Sequence, residues 1–278
     1  MHFNRADTIS LASNYPLIGH RGDGKDSFNE TDNFYKENTI YAFEKAIKKG
    51  IKAVELDVIC TKDLNLIVNH DFQIDGVSIS GLTLEETRNA GREYFIKCKP
   101  SLKNISDEKY FISTLEDVLM RFPDIVFNIE IKYPDCDTDE ITKRDYINRS
   151  DLVKLVLEIS SKSCTKVFFS SFDKEIILFL LEKGVQGCLL SNSEDIAVEL
   201  DFVMRNDLAG LVLSDKVYLQ NQQLILEFKN KCRGGKYFLL GTYQDGAVSI
   251  NAYTHEVSDF HIVDSYSPGK SNSHLIDS

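Results

Sequence analysis

Carboxylates stand inside runs of this chain that otherwise read as buried strand. Residues 53–58 (AVELDV) hold Glu55 and Asp57 two apart, a spacing that sends both side chains to one face of a strand and Val54, Leu56 and Val58 to the other. Residues 126–131 (VFNIEI) continue into Lys132 and alternate so that Asn128, Glu130 and Lys132 share a face. Like charges gathered in a poorly hydrated site are costly unless a cation neutralises them. Glu55, Asp57 and Glu130 offer oxygen donors only, which suits Mg²⁺ or Ca²⁺, and with no cysteine nearby they argue against structural zinc.

Histidines arrive at the same place. His20 ends the apolar run 17–20 (LIGH) with Arg21 directly after it, and His70 lies in the run 66–71 (LIVNHD). The link 62–65 (KDLN) is too short for a parallel crossover, so the run 66–71 must return antiparallel on the strand before it. With Asp63-Leu64 as a two-residue turn, Lys62 falls opposite Asn65 and Asp57 opposite His70, which places an imidazole beside the carboxylates.

The elements that position these groups follow a repeated rhythm. Apolar or β-branched runs at 17–20, 53–58, 126–131, 166–170, 187–190, 210–213, 237–241 and 260–264 predict eight strands. Amphipathic stretches at 39–49, 114–121, 151–160, 173–183, 194–206 and 219–229 predict helices between them. This alternation predicts an α/β chain folded as a (β/α)8 TIM barrel, with a small insertion after the second-strand hairpin, rather than an open doubly wound sheet. Active sites of such barrels lie at the C-terminal ends of the strands, where His20, Arg21 and Asp57 fall.

The expected organisation is an N-terminal extension (1–16), a single barrel domain (17–264) and a disordered polar tail (265–278). Residues 72–113, with Gly76, Gly81, Gly91 and Pro100, read as a small irregular insertion able to shape a substrate pocket. Residues 22–36 and 133–150 read as polar loops, Gly22-Asp23-Gly24 as a flexible loop rather than a phosphate cradle, and Gly234-Gly235 as a turn. His2, His255 and His261 receive no role.

A formal charge of −11, from 32 Lys and Arg against 43 Asp and Glu, repels a polyanion and excludes nucleic acid as the expected partner. The six cysteines are dispersed, with no C-x-x-C pair, and read as reduced packing residues. The N-terminus lacks the apolar core of a signal peptide and no run is long enough for a membrane span, so a cytoplasmic location is expected.

These motifs together resemble the glycerophosphodiester phosphodiesterase family. The resemblance rests on I-G-H-R-G (18–22), E-N-T-I (37–40), A-F-E-K-A-I-K-K-G (42–50), V-E-L-D-V (54–58), T-K-D (61–63), H-D (70–71), T-L-E-D-V-L (114–119), N-I-E-I-K (128–132) and S-S-F-D (170–173). It implies a (β/α)8 fold, metal-dependent hydrolysis of a small glycerophosphodiester, and Glu55, Asp57 and Glu130 as metal ligands. It further implies His20 and His70 as the acid–base pair, Arg21 and Lys132 as phosphate contacts, and Glu37 as a supporting residue. The long loop between H-R-G and E-N-T, and F-L-L-G-T-Y (238–243), resemble the eukaryotic glycerophosphocholine-type members. The chain has no Trp, which many members carry near the end of the seventh strand, so Leu240 or Tyr243 is expected to stand there. Two alternatives stay open: phospholipase-D-like action on lysophospholipid or sphingolipid, and a non-catalytic barrel that binds phospho-metabolites.

Overall fold

A computed structural model describes residues 5–26, 36–100, 103–135, 138–232, 238–244 and 258–264. Helix α1 (Arg5–Ser13) leads into β1 (Leu17–Gly19), α2 (Ile40–Lys48), β2 (Ala53–Cys60) and a short return strand, β3 (Leu66–Val68). An insertion follows, made of β4 (Gln73–Ile74), β5 (Val77–Ser78), a 3₁₀ turn at Ile79–Gly81, α3 (Leu84–Cys98) and a second 3₁₀ turn at Glu108–Tyr110. The chain continues through α4 (Leu115–Arg121), β6 (Val126–Ile131), α5 (Glu140–Asp145), α6 (Arg149–Lys162), β7 (Val167–Ser171), α7 (Lys174–Glu182), β8 (Gly187–Ser191) and α8 (Ile196–Arg205). It ends with β9 (Gly210–Ser214), α9 (Asp215–Gln220), α10 (Gln222–Cys232), β10 (Leu239–Tyr243) and β11 (Phe260–Val263).

Eight of the strands are parallel neighbours in the order β1-β11-β10-β9-β8-β7-β6-β2, and pairing of Gly19 with Val54 closes the ring. This is the expected (β/α)8 barrel. Strand alternation divides its residues into two layers of core. Val54, Leu56, Phe127, Ile129, Phe169 and Leu211 point outward to the helices. Ala53, Val126, Phe168, Cys188, Leu239 and Phe260 fill the interior, where Phe168 and Phe260 meet edge to face at 6.0 Å. Gly241 makes this filling possible, because a Cβ there would lie 2.4 Å from the Phe260 ring. Ala12 of α1, with Ile9 and Leu11, packs on the same cluster and closes the N-terminal end of the barrel. Among the described residues the interior is therefore apolar at its base, and Glu55, Asp57, Asn128 and Glu130 follow toward the C-terminal mouth.

Side-chain caps set several helix starts. Thr39 accepts from the Ala42 amide at α2, while Thr83 and Thr114 form capping boxes with Glu86 and Asp117 at α3 and α4.

Four expectations need correction. The hairpin pairs Val58 with Val68, Ile59 with Ile67 and Cys60 with Leu66, one residue out of the predicted register. The loop holds three residues rather than two, because Leu64 adopts a left-handed φ of 62° and the Thr61 amide bonds the Asn65 carbonyl at 3.0 Å. Asn69, not His70, thus faces Asp57, its amide bonding the Asp57 carbonyl at 3.1 Å. Second, the insertion is not irregular: α3 runs 15 residues behind its capping box, and Ile74, Ile79 and Ile112 pack it on Ile59 and Ile67. Third, the loop expected at 133–150 contains α5, with Asp139 as its N-cap, and the start of α6. Fourth, the helix expected at 219–229 is two, broken at Asn221. The tail 265–278, Gly234-Gly235, His2 and His255 lie outside the described residues.

Candidate active site

The β2 register against β6 sets Glu55 beside Asn128 and Asp57 beside Glu130. Oxygens of Glu55, Asp57 and Glu130 all lie within 4.8 Å of one another. Two of the three carboxylates are almost wholly buried, Glu55 at 2% exposure and Asp57 at 0%. Two cations lean on the cluster. Arg21 Nε lies 3.4 Å from Asp57 Oδ2, and Lys132 Nζ lies 3.6 Å from both Asp57 Oδ1 and Glu130 Oε1. Among the described residues three carboxylates thus meet only two cations, one of which, Arg21, is shared with Glu37.

The local charges sort the carboxyls. Burial pushes Asp57 up, but the charges of Lys132, Arg21 and His70, with a hydrogen bond from Asn38, outweigh it and hold Asp57 well below the usual range. Glu55 is pushed the other way, by burial and then by Asp57 and Glu130, and rises well above the usual range. Glu130 is raised by burial and by Asp57 despite Lys132. Burial opposes the charges of Lys132 and Arg21, yet their carboxylate neighbours raise both pKa values, so both stay cationic.

Arg21 sits at φ 50° and Asn38 at φ 56°, a region unfavourable to side-chain-bearing residues and most tolerated by Asn and Asp. The conformation serves contacts. Arg21 donates its backbone amide to Glu55 Oε2 at 2.8 Å and its Nη1 to Glu37 Oε1 at 2.8 Å. Asn38 donates its amide to Asp57 Oδ2 at 2.8 Å and accepts the Asp57 backbone N–H at 3.2 Å. Glu37 also accepts from the Asp26 amide, and the Glu37 amide donates to Asp26.

Both histidines reach the site. His20, 7% exposed, places Nε2 4.0 Å from Glu55 Oε2 and Nδ1 2.5 Å from Asp264 Oδ1. His70, half-buried, has Nδ1 2.7 Å from Asp71 Oδ1. His70, Glu130 and Lys132 line a cavity of about 1300 Å³ together with Tyr133, Phe172 and Lys174, and with Ile74, Gly91 and Tyr94 of the insertion. The insertion does shape the pocket.

All eight residues singled out in the sequence converge here, His70 despite the slipped register. Three others were not foreseen. Asn38 was visible only as the middle of E-N-T. Asp71 stands in H-D, where the sequence implies no role for it, and Asp264 lies 244 residues from its partner with no motif around it. Gly22-Asp23-Gly24 forms a tight turn: Gly22 and Gly24 have φ of 101° and 106°, and Asp23 pairs with Lys45 and Lys49. Leu240 packs outward among the helices, whereas Tyr243 ends β10 at the mouth, edge-on to Phe172 at 5.8 Å. His261 is held by Thr242 and Ser258.

The fold and site define a (β/α)8 barrel with a buried acidic cluster, two histidines and two cations at its mouth. The match to a family model is consistent with this class: residues 20–227 fit the glycerophosphoryl diester phosphodiesterase family, and the chain belongs to it. Among curated relatives, a glycerophosphocholine phosphodiesterase of Schizosaccharomyces pombe is 26% identical over 238 residues, covering 66% of this chain and 21% of the relative. A glycerophosphodiester phosphodiesterase of Caldanaerobacter subterraneus is 36% identical over 125 residues, covering 42% of this chain and 44% of the relative. The chain thus spans less than half the length of either. A phosphodiesterase of Oleispira antarctica, solved in complex with the product sn-glycerol-3-phosphate, shares the fold at a TM-score of 0.64 and 18% identity, over 91% of this chain and 95% of that one. No helix among the described residues is long and apolar enough to cross a membrane.

Proposed function

We propose that the chain, acting as one barrel domain over residues 17–264, hydrolyses glycerophosphodiesters to an alcohol and glycerol 3-phosphate. The observation that carries this reading is the cluster of three carboxylates within 4.8 Å, with His20 4.0 Å from Glu55 and His70 on the wall of the cavity that Glu130 also lines. Glu55 Oε1 and Asp57 Oδ1 are buried without a hydrogen-bond partner, a costly state that a cation would relieve. Glu55, Asp57 and Glu130 fit a hard divalent ion, Mg²⁺ or Ca²⁺, and would hold it. When bound, such an ion supplies positive charge that polarises the phosphoryl oxygens.

The chain's own residues do the rest. Arg21 and Lys132, both kept charged, stabilise the non-bridging phosphate oxygens as charge develops. His20 takes a proton from the nucleophile, either water or, in a cyclising route whose cyclic phosphate a water then opens to glycerol 3-phosphate, the neighbouring glycerol hydroxyl, and His70, on the cavity wall, returns one to the departing alkoxide. An imidazole suits both roles because its ordinary pKa, about 6.5, lies near working pH. Glu37 holds the Arg21 guanidinium in place.

Glycerophosphocholine is the substrate we favour. Phe172, 44% exposed and braced by Tyr243, offers an aromatic face to a quaternary ammonium, and several curated relatives bear that substrate in their names. A cytoplasmic setting, in which thiols stay reduced, goes with this reading, and Cys60 and Cys188 are buried free thiols.

The test is release of glycerol 3-phosphate from glycerophosphocholine with Mg²⁺, Ca²⁺ or chelator, beside His20→Ala and Glu55→Ala. Cation-dependent turnover lost in both variants is expected. A folded wild type inactive on every glycerophosphodiester with every cation would end the reading, and lysophospholipid would be tried next.

A further inference from the structure

The barrel's last strand delivers a carboxylate that the mechanism above does not use. Asp264 directly follows β11, and its Oδ1 meets His20 Nδ1 at 2.5 Å. A neutral imidazole carries its proton on one nitrogen and its lone pair on the other, and the partner of one nitrogen decides which. A carboxylate at Nδ1 accepts a hydrogen bond, which keeps the proton on Nδ1 and leaves the lone pair on Nε2. That is the nitrogen turned to the acidic cluster, 4.0 Å from Glu55.

We propose that Asp264 is the positioning residue of His20: it fixes the ring and the Nδ1–H tautomer, so that Nε2 is the atom that takes the proton during hydrolysis. The proposal rests on the acid–base reading of His20.

The surroundings of Asp264 are built to hold it. Its amide donates to Gln244 Oε1 at 3.1 Å, and the preceding carbonyl, of Val263, accepts the His20 amide at 2.9 Å. Gly24, whose amide bonds the His20 carbonyl at 2.9 Å, lies so close to the Asp264 carbonyl that a Cβ would stand 1.8 Å from its oxygen. The turn after β1 and the end of β11 are clasped together around the His20–Asp264 pair.

The second histidine supplies an internal contrast. His70 also bonds a carboxylate through Nδ1, at 2.7 Å, but the Asp71 side chain is 77% exposed against 21% for Asp264. Water can replace Asp71, whereas a charge-assisted bond in a largely enclosed site has no ready substitute. The two pairs look alike in connectivity and differ in consequence.

The experiment combines kinetics with ¹⁵N NMR of the histidine rings in wild type, Asp264→Asn, Asp264→Ala and Asp71→Asn. Asp264→Asn keeps the shape but can offer an N–H to Nδ1, which forces the opposite tautomer. Its kcat is expected to fall by about 10²–10⁴-fold, the scale of losing a tautomer-setting carboxylate elsewhere, with KM changed by less than about threefold because the bond touches no substrate. His20 should show Nδ1–H in the metal-free wild type and Nε2–H in Asp264→Asn. Asp264→Ala should give mixed tautomers with a smaller loss, and Asp71→Asn a loss of at most about tenfold. A thermal melt identifies any variant that fails to fold, and the remaining Asp264 variant then carries the test. If the wild type turns over and His20→Ala does not, while folded Asp264→Asn keeps either kcat or the wild-type tautomer, the proposal is overturned and the function stands. A wild type inactive on all glycerophosphodiesters overturns both.

Discussion

Glu55→Gln separates the two demands placed on the acidic cluster. Unit charges 4.8 Å apart, the limit on these carboxylate oxygens, repel by about 3–4 kcal/mol at an effective dielectric near 20. Glu55 faces two such neighbours. Arg21 and Lys132 lean chiefly on Asp57 and Glu130, so the imbalance falls on Glu55 and its carboxyl is raised well above the ordinary range, first by burial and then by these charges. A carboxyl raised in the folded state contributes stability that is complete below its unfolded pKa and is lost as pH climbs through its folded one. The metal-free wild type should therefore weaken toward neutral pH, and Glu55→Gln should lack that limb. With chelator at pH 7.5, the variant is expected to gain about 1–2 kcal/mol, or about 2–4 °C in Tm for a chain of this size. With Mg²⁺ or Ca²⁺ at about 100 times its Kd, the order should reverse, because the wild type gains about 2.7 kcal/mol, about 5 °C, and the variant little. Differential scanning calorimetry across pH, with and without cation, reads both effects. A variant that melts below wild type in chelator, or keeps the cation-induced rise, refutes the reasoning.

Three further outcomes are expected. Gly24→Ala, at φ 106° and against the Asp264 carbonyl, should cost about 3 kcal/mol or more in urea denaturation and should disturb His20 as well, so retention of full activity would count against the clasp. Lys229 and Asp259 form a buried pair at 2.7 Å, with Asp259 also accepting the Leu240 amide. Lys229→Met alone should cost about 3–5 kcal/mol, with Asp259→Asn recovering part of it in a double-mutant cycle, and additivity within about 0.5 kcal/mol would show the pair uncoupled. Phe172→Ala should raise KM for glycerophosphocholine about five- to tenfold, on the scale of one cation–π contact, with little change in kcat. An equal rise for glycerophosphoglycerol, which has no cation, would remove the aromatic face from substrate choice.

What the sequence made legible follows from which distances are local. Strand alternation needs only neighbouring residues, so the faces of 53–58 and 126–131, and with them Glu55, Asp57, Glu130 and Lys132, could be assigned before any fold was known. The eight-strand rhythm then brought those faces together. The hairpin register was misjudged because it depends on the backbone of one residue: Leu64 adopts a left-handed φ that nothing about leucine advertises, and the extra loop residue shifts every pair by one. His70 still reaches the site because it lies past the end of β3, where ladder register no longer dictates direction. Asp264 was invisible for the opposite reason. Only closure of the barrel, β11 against β1, brings it to His20, and no local pattern encodes a contact of that span.

The same geometry explains where strain is tolerated. Among the described residues, five without the freedom of glycine have left-handed φ, and two of them, Arg21 and Asn38, touch the acidic cluster. Such conformations cost of order 1–3 kcal/mol each. Arg21 and Asn38 offset this locally, since the Asn38 amide bonds the Arg21 carbonyl at 2.9 Å and each residue donates a hydrogen bond to a buried carboxylate. Bonds to charged groups are each worth about 1.5–3 kcal/mol, and leaving a buried carboxylate without them would cost at least as much. The strained turns are thus cheaper than the alternative of Glu55 and Asp57 with their oxygens unmet. The two oxygens that remain unmet, Glu55 Oε1 and Asp57 Oδ1, belong to the proposed cation ligands rather than to the floor of the barrel. Backbone donors and Asn38 satisfy the back of the cluster, which leaves its unsatisfied acceptors for the ion that hydrolysis would require.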